Sequence, residues 1–295
     1  MAENYTFRKV IQSDREDMTA ISMKIWGGND FIPRLFDEWI NDDKGEFTAV
    51  IHDGKLVGCG KLTFLTETDA WLQGLRKDID LDLKGVSKAV TKYFIDKLRG
   101  RSDITSFRFA TYVKNYASIT ANQSIGFRIQ KTLSIKHCMI MPGTERYREK
   151  YPTEKIPDID KVLQYIKKSK FFEYAGNDVN LNWTVYPYSD DFIIEQFINN
   201  GECFGILEEN QIKALALTYN SSRINLPFFD ADNYQYAFSL MQFIHRYARE
   251  NNFDMIQVFL PDNQRIKNLF TRLSFSSRDQ ENDFLLFEYP LELLR

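Results

Sequence analysis

Cysteine and histidine are scarce, three of each in 295 residues. Cys59, Cys138 and Cys203 are odd in number and far apart, which argues against a disulfide framework or a zinc module. They read as thiols of a reducing compartment, so a cytoplasmic protein is expected. His52, His137 and His245 share no ligand spacing, and no metal site is expected. No apolar run reaches bilayer-spanning length, and the polar stretch Met1–Tyr5 is not expected to act as a signal sequence. A surplus of charge is also missing: 38 Lys and Arg stand against 41 Asp and Glu, net −3. That leaves no long-range field for nucleic acid or an anionic membrane.

What is present is enough apolar material, 43% of residues, for two cores. Tyr5–Val10 alternates as a strand. Asp14–Trp26 and Phe31–Ile40 carry helical spacing and are separated by Gly27-Gly28-Asn29-Asp30. Phe47–Ile51 and Leu56–Leu65 form a hairpin around His52-Asp53-Gly54-Lys55, where Asp-Gly is the turn signal. Trp71, Leu72 and Leu75 begin a strand that passes through a charged loop to Gly85 and a helix, Lys88–Leu98. Such a junction can hold a phosphate, because the first N–H groups of a helix are unpartnered and carry partial positive charge. Gly85 keeps side-chain bulk away from that backbone. A strand Ile104–Val113, a helix Tyr116–Ile125 and a strand Phe127–Ile135 follow.

The stretch 142–160, with three prolines and many charges, reads as a linker between a domain at 1–141 and another at 161–295. The second half repeats the first. TYVKNYASITANQSIGF aligns with FLPDNQRIKNLFTRLSF, pairing Asn115 with Asn263 and Phe127 with Phe275, both at offset 148. AVIHDGKLVG aligns with GILEENQIKA at offset 156, so the second copy is 8 residues shorter between hairpin and helix. The loss falls on the glycine-bearing loop: INLPFFDADNYQYA has no glycine.

The segment WLQGLRKDIDLDLKGVSKA resembles motif A of the GNAT-type acetyltransferase superfamily, matching at Trp71, Leu72, Gly74, Leu75, Arg76, Gly85 and Ala89. The family's Asn-x-x-Ser and Gly-Phe appear as Asn115, Ser118, Gly126 and Phe127. The resemblance implies a mixed α/β fold in which central strands splay apart to admit acetyl-CoA, in two tandem domains of which the second is degenerate. It further implies a cofactor site at Leu75, Arg76, Lys77, Lys84, Gly85, Val86, Ser87 and Lys88, with Asn115 and Ser118 beside the pantetheine arm. The implied reaction is direct acetyl transfer to a small primary amine, without metal.

The chain departs from the motif in four places. Gln73 replaces a Glu, and an amide is no general base. Asp82 stands where the family has Arg or Gln, and its carboxylate beside a pyrophosphate is tolerable only in solvent. Ser87 replaces the last glycine yet keeps its N–H. Asn122 stands where many members have the Tyr acid, leaving Tyr112 or Tyr116 for that task. Asp30, Asp37 and Glu38 are acids near the expected amine site, with Asp30 the candidate proton relay. Three readings remain open: an active N-acetyltransferase, a CoA-binding protein without turnover, and an interaction module.

Overall fold

The computed structural model describes residues 4–140 and 149–295 and divides into two compact units, Met1–Lys131 with Leu285–Arg295, and Thr132–Phe284. Residues 142–148 of the expected linker lie outside the described residues.

In the first unit β1 (Thr6–Lys9), β2 (Glu46–His52), β3 (Lys55–Phe64) and β4 (Asp69–Lys77) are successively antiparallel. β5 (Ser106–Tyr112) joins β4 in parallel. Asp53 and Gly54 turn the β2–β3 hairpin with φ of +48° and +75°, the left-handed pair of a type I′ turn. α1 (Arg15–Met23) and α2 (Ile32–Ile40) bury Met18, Ile32, Phe36 and Trp39 against Phe47 and Cys59. α3 (Val86–Leu98) forms a separate core with Leu62, Leu72 and Phe107 through Val90, Phe94 and Leu98. α4 (Tyr116–Gln123) follows β5. The C-terminal strand Phe284–Glu288 lies beside β5. It contributes Phe287, stacked on Phe109 at 4.8 Å, and Tyr289, whose N–H donates to Phe107 O at 2.8 Å.

In the second unit β6 (Arg128–Met139) pairs antiparallel with β13 (Met255–Pro261) over Leu133–Met139. β7 (Glu154–Lys155), α5 (Ile159–Lys168) and α6 (Lys170–Ala175) precede a small hairpin, β8 (Asp178–Leu181) and β9 (Thr184–Pro187), and the short α7 (Asp190–Ile193). Then come β10 (Cys203–Glu208), β11 (Gln211–Asn220), β12 (Ile224–Ala231) and α8 (Tyr234–Glu250). After β13 come α9 (Gln264–Arg272) and β14 (Ser276–Ser277), which pairs β6. Hairpin, strand, helix, strand, helix recurs in the order of the first unit. The second hairpin also turns on two left-handed residues, Glu209 at φ +50° and Asn210 at +61°, without glycine.

The units do not follow the division 1–141, 142–160 and 161–295 expected from sequence. The strand after Phe127 is built mostly into the second unit, and the C-terminal strand into the first. Both strands are apolar and extended, and periodicity does not say which neighbour completes the ladder.

The middle strands part in both units, as expected. β4 and β5 pair only from Asp69↔Ser106 to Trp71↔Arg108. β12 and β13 pair only from Ile224↔Ile256 to Leu226↔Val258.

In the second unit Glu281 accepts from Ser134 Oγ at 2.8 Å, Ser277 Oγ at 2.9 Å and Lys136 Nζ at 2.6 Å. Lys267 Nζ lies at 3.3 Å. Burial alone would raise its pKa, but these donors outweigh it and hold the carboxyl at about 2 against an ordinary 4.5. Its folded pKa is depressed, so its contribution is full above the ordinary value and is lost as pH falls towards about 2. Denaturant midpoints measured across that window should fall less steeply for Glu281→Gln than for the unaltered protein. Equal slopes would mean that Glu281 is not held as the structure shows.

Candidate functional site

The site begins at an irregularity in β4. Lys61 faces Gln73 and Cys59 faces Arg76, so Gly60 alone on β3 stands against both Gly74 and Leu75 on β4. The extra residue makes a β-bulge, and Gly74 in it has φ +63°. A Cβ there would also stand 2.6 Å from the Trp39 ring, so both backbone and packing require glycine. The bulge turns Gln73 and Arg76 to one face, although odd spacing in a regular strand would oppose them. That is the face on which α1 and α2 pack.

On it Arg76 and Asp30 form a buried pair, Nε to Oδ2 at 2.8 Å and Nη2 to Oδ1 at 2.7 Å. Asp30 also accepts the Phe31 N–H at 2.7 Å. The guanidinium carbon lies 4.5 Å from the Trp26 ring centroid and 5.1 Å from that of Phe31. Trp26 itself is 60% exposed and sits at φ +48°, a conformation that costs a bulky residue energy. Asp30 is therefore no free acid at a rim: its carboxylate is taken by Arg76 and backbone. Asp37 is exposed and paired to Arg15. Gln73 donates Nε2 to Thr63 Oγ1 at 2.9 Å. Lys61 is buried against Asp42 and Leu62 O, and burial pushes its ammonium pKa down while Asp42 resists.

Beyond Trp71, β5 no longer supplies ladder partners to Leu72–Lys77. The eight residues 78–85 then lead to α3. This loop is fastened by its carbonyls and acids: Tyr5 OH donates to Lys84 O at 2.8 Å, Lys77 Nζ to Leu83 O at 2.7 Å, and Lys24 Nζ to Asp78 at 2.8 Å. Asp82 is exposed, the one placement compatible with a nearby anion. Gly85 is the N-cap at φ +78° with open space where a Cβ would be. No side chain caps the helix, so the N–H groups of Val86, Ser87 and Lys88 keep their donor capacity. The second unit lacks this arrangement. Only residues 232 and 233 separate β12 from α8, and Asn233 Oδ1 already accepts from Gln235 and Tyr236 N–H.

Asn115 caps α4, accepting from Ser118 N–H at 3.4 Å and donating to Thr111 Oγ1 at 3.0 Å; Asn263 caps α9 in the same way. Asn122 is 1% exposed, and its Oδ1 has no partner among the described residues, while Nδ2 donates to Ser118 O at 2.9 Å. Tyr112 ends β5, half-buried, and Tyr116 opens α4 with 71% of its surface exposed. Among the described residues there is no cluster able to hold a metal and no helix long and apolar enough to cross a membrane. The Arg76–Asp30 pair and the Lys61–Asp42 pair were not legible in the sequence, since each joins residues that no local pattern relates.

Residues 10–127 match the model of the acetyltransferase (GNAT) family. The fold is similar to that of a GCN5-related N-acetyltransferase from Sphaerobacter thermophilus, with TM-score 0.67 and 10% identity over 96% of this chain and 95% of that one. It is also similar to a fungal GCN5-related glucosamine N-acetyltransferase region of a multi-domain GH3 β-N-acetylglucosaminidase, with TM-score 0.66 and 9% identity over 98% of this chain and 38% of that one. A GCN5-related N-acetyltransferase from Kribbella flavida gives TM-score 0.52 and 11% identity over 97% and 71% of the two chains. At such identities the likeness is one of fold. No curated protein matches the sequence.

Proposed function

We propose that the first unit is an acetyl-CoA-dependent N-acetyltransferase acting on a small primary amine by direct transfer. The observation that carries this reading is the split between β4 and β5 beside an uncapped helix start at Gly85, within the stretch that matches the family. The residues present fit the cosubstrate. Backbone N–H groups from Gly85 to Lys88 would hold its pyrophosphate, with Lys84 and Lys88 adding charge. The backbone of Leu75, Arg76 and Lys77 would orient the thioester and stabilise its oxyanion. Asn115 and Ser118 would flank the arm, and the unpartnered Asn122 Oδ1 offers an acceptor on the same helix. Tyr112 or Tyr116 would return a proton to the departing thiolate. Asp30, held by Arg76, fixes the α1–α2 connection at the amine side rather than exchanging protons. We read the second unit as a degenerate copy that kept the scaffold, and the protein as cytoplasmic.

Calorimetry with acetyl-CoA should show one site per chain, and thiol release should require an amine. Binding without release for any amine would instead favour a CoA-binding protein lacking turnover, a reading supported by Gln73, whose amide donates to Thr63 and has no basic lone pair.

That contrast yields a rate prediction. An alkyl amine with pKa near 10 is only about a thousandth neutral at pH 7. Gln73→Glu restores a base on the amine face and should raise the rate at pH 7 about tenfold or more. The unaltered protein should instead speed up with pH as the amine deprotonates. Unchanged rates in the Glu variant, followed by thiol release from pH 6 to 9, would place position 73 away from the amine.

A further inference from the structure

The second unit contains a cavity of about 690 Å³ at the start of its parallel strands, the end opposite the split. We propose that it binds a small organic phosphate monoester with an apolar body, independently of the acetyl-transfer reading.

His137 and Ser276 form the floor, and strand register sets Gln257 and Asn225 in line with them across β14, β6, β13 and β12. Gln257 Oε1 accepts from Arg223 Nη1 at 3.0 Å and lies 2.9 Å from His137 Nε2, while its Nε2 donates to Asn225 Oδ1 at 3.0 Å. Arginine can only donate, so the amide orientation is fixed and Nε2 of His137 carries the proton. The floor is thus locked before any ligand arrives.

The wall of the cavity carries uncompensated charge. Arg223 and Arg278 both line it, no carboxylate does, and neither arginine makes an ion pair among the described residues. The nearby acid Glu281 is instead held by Lys136 and Lys267. Burial lowers the His137 pKa, and the charges of Arg223 and Arg278 lower it further, so both guanidiniums act on the same small space. Two unpaired guanidiniums in a concavity attract an anion.

The donor count favours phosphate. Besides the arginines, Ser274 and Ser276 line the cavity with their hydroxyls, while Ser277 Oγ already donates to Glu281; two guanidiniums and two hydroxyls are more donors than the two oxygens of a carboxylate can use. The volume exceeds a bare phosphate and falls within the range of small-molecule sites, about 300–1,000 Å³. Met139, 51% exposed, and Met255 stand opposite each other across β6 and β13 and form an adaptable apolar wall for the ligand's body.

The test is calorimetry of the full chain with phenyl phosphate, inorganic phosphate and benzoate. Coenzyme A is avoided because it carries a phosphate monoester and would report on two sites. Phenyl phosphate should bind once per chain, at least about tenfold more tightly than either inorganic phosphate or benzoate. Arg278 is exposed, so Arg278→Gln should fold normally by circular dichroism and bind phenyl phosphate about tenfold more weakly. Met139→Ser should weaken phenyl phosphate but not inorganic phosphate. The imidazole resonances of His137 should shift on binding, which locates the ligand. Absence of binding at about 10 mM phenyl phosphate, equal affinity in Arg278→Gln, or tighter binding of benzoate would each overturn the proposal.

Discussion

Gly85→Val should abolish binding of coenzyme A to the chain. The residue has φ +78°, and a β-branched side chain in that region is strongly disfavoured. A Cβ on the unperturbed backbone would meet open space, so the fold could accommodate its bulk. What it cannot keep is both the left-handed N-cap and the free approach to the N–H groups behind it. Relaxing φ would turn the donors of Val86, Ser87 and Lys88 away; holding φ would place methyl groups over the open face the anion must reach. Either route removes the pyrophosphate contacts, and losing two or three charge-assisted hydrogen bonds costs about 3–6 kcal/mol, at least about a hundredfold in affinity. Gly85→Ala, smaller and unbranched, should lose less. Calorimetry reads both, and denaturation separates binding from folding. A Val variant that binds as the native chain does would mean that this helix start is not the site. The second unit should contribute no comparable CoA site, because Asn233 occupies the corresponding donors of α8.

Asp30→Ala should destabilise the first unit by about 3–5 kcal/mol, the usual consequence of leaving one member of a buried ion pair alone. Arg76 would keep its charge with 8% of its surface exposed. Its remaining partners would be the Leu75 carbonyl at 2.9 Å and the faces of Trp26 and Phe31. Asp30→Asn retains an acceptor and should cost less. The double variant Asp30→Leu, Arg76→Met should recover much of the loss, since it removes both charges together. Denaturant midpoints of the single and double variants complete the cycle, and a loss below about 1 kcal/mol in Asp30→Ala would contradict the buried pair. Turnover distinguishes roles: a folded Asp30→Asn that keeps the native pH–rate profile identifies Asp30 as a positioning residue, whereas loss of the alkaline-to-neutral slope would return it to proton relay.

Local order in this chain was legible where a physical rule acts over a few residues. Asp53-Gly54 marked a hairpin turn, and the structure has it, with both residues left-handed. Helical spacing marked α1 and α2, whose apolar positions Met18 and Phe36 are buried, and Gly85 marked the mouth of α3. Asn115 and Asn263 start helices because a short polar side chain caps free N–H groups, and Gly85 stands at a left-handed N-cap. The missing glycine loop in the second half was visible as a shorter sequence, and the structure replaces it with a two-residue connection.

Tertiary structure decided the rest. That the C-terminal strand completes the first unit while the strand after Phe127 enters the second depends on which backbone edges meet, and an apolar extended segment carries no record of its neighbour. That Gln73 and Arg76 share a face depends on one extra residue opposite Cys59 and Lys61, a register between strands rather than a pattern within one. Asp30 looked like an available acid because charge in a sequence shows no partner; only the approach of the α1–α2 connection to β4 joins it to Arg76. The same holds for Arg223 and Arg278, 55 residues apart and brought to one cavity by the ladders of β12, β13, β6 and β14. The sequence determined the elements and the turns, through steric and hydrogen-bonding preferences that act locally. Which charges are neutralised and which stay available was settled by long-range packing alone, because that depends on the distance between side chains that chain order does not encode.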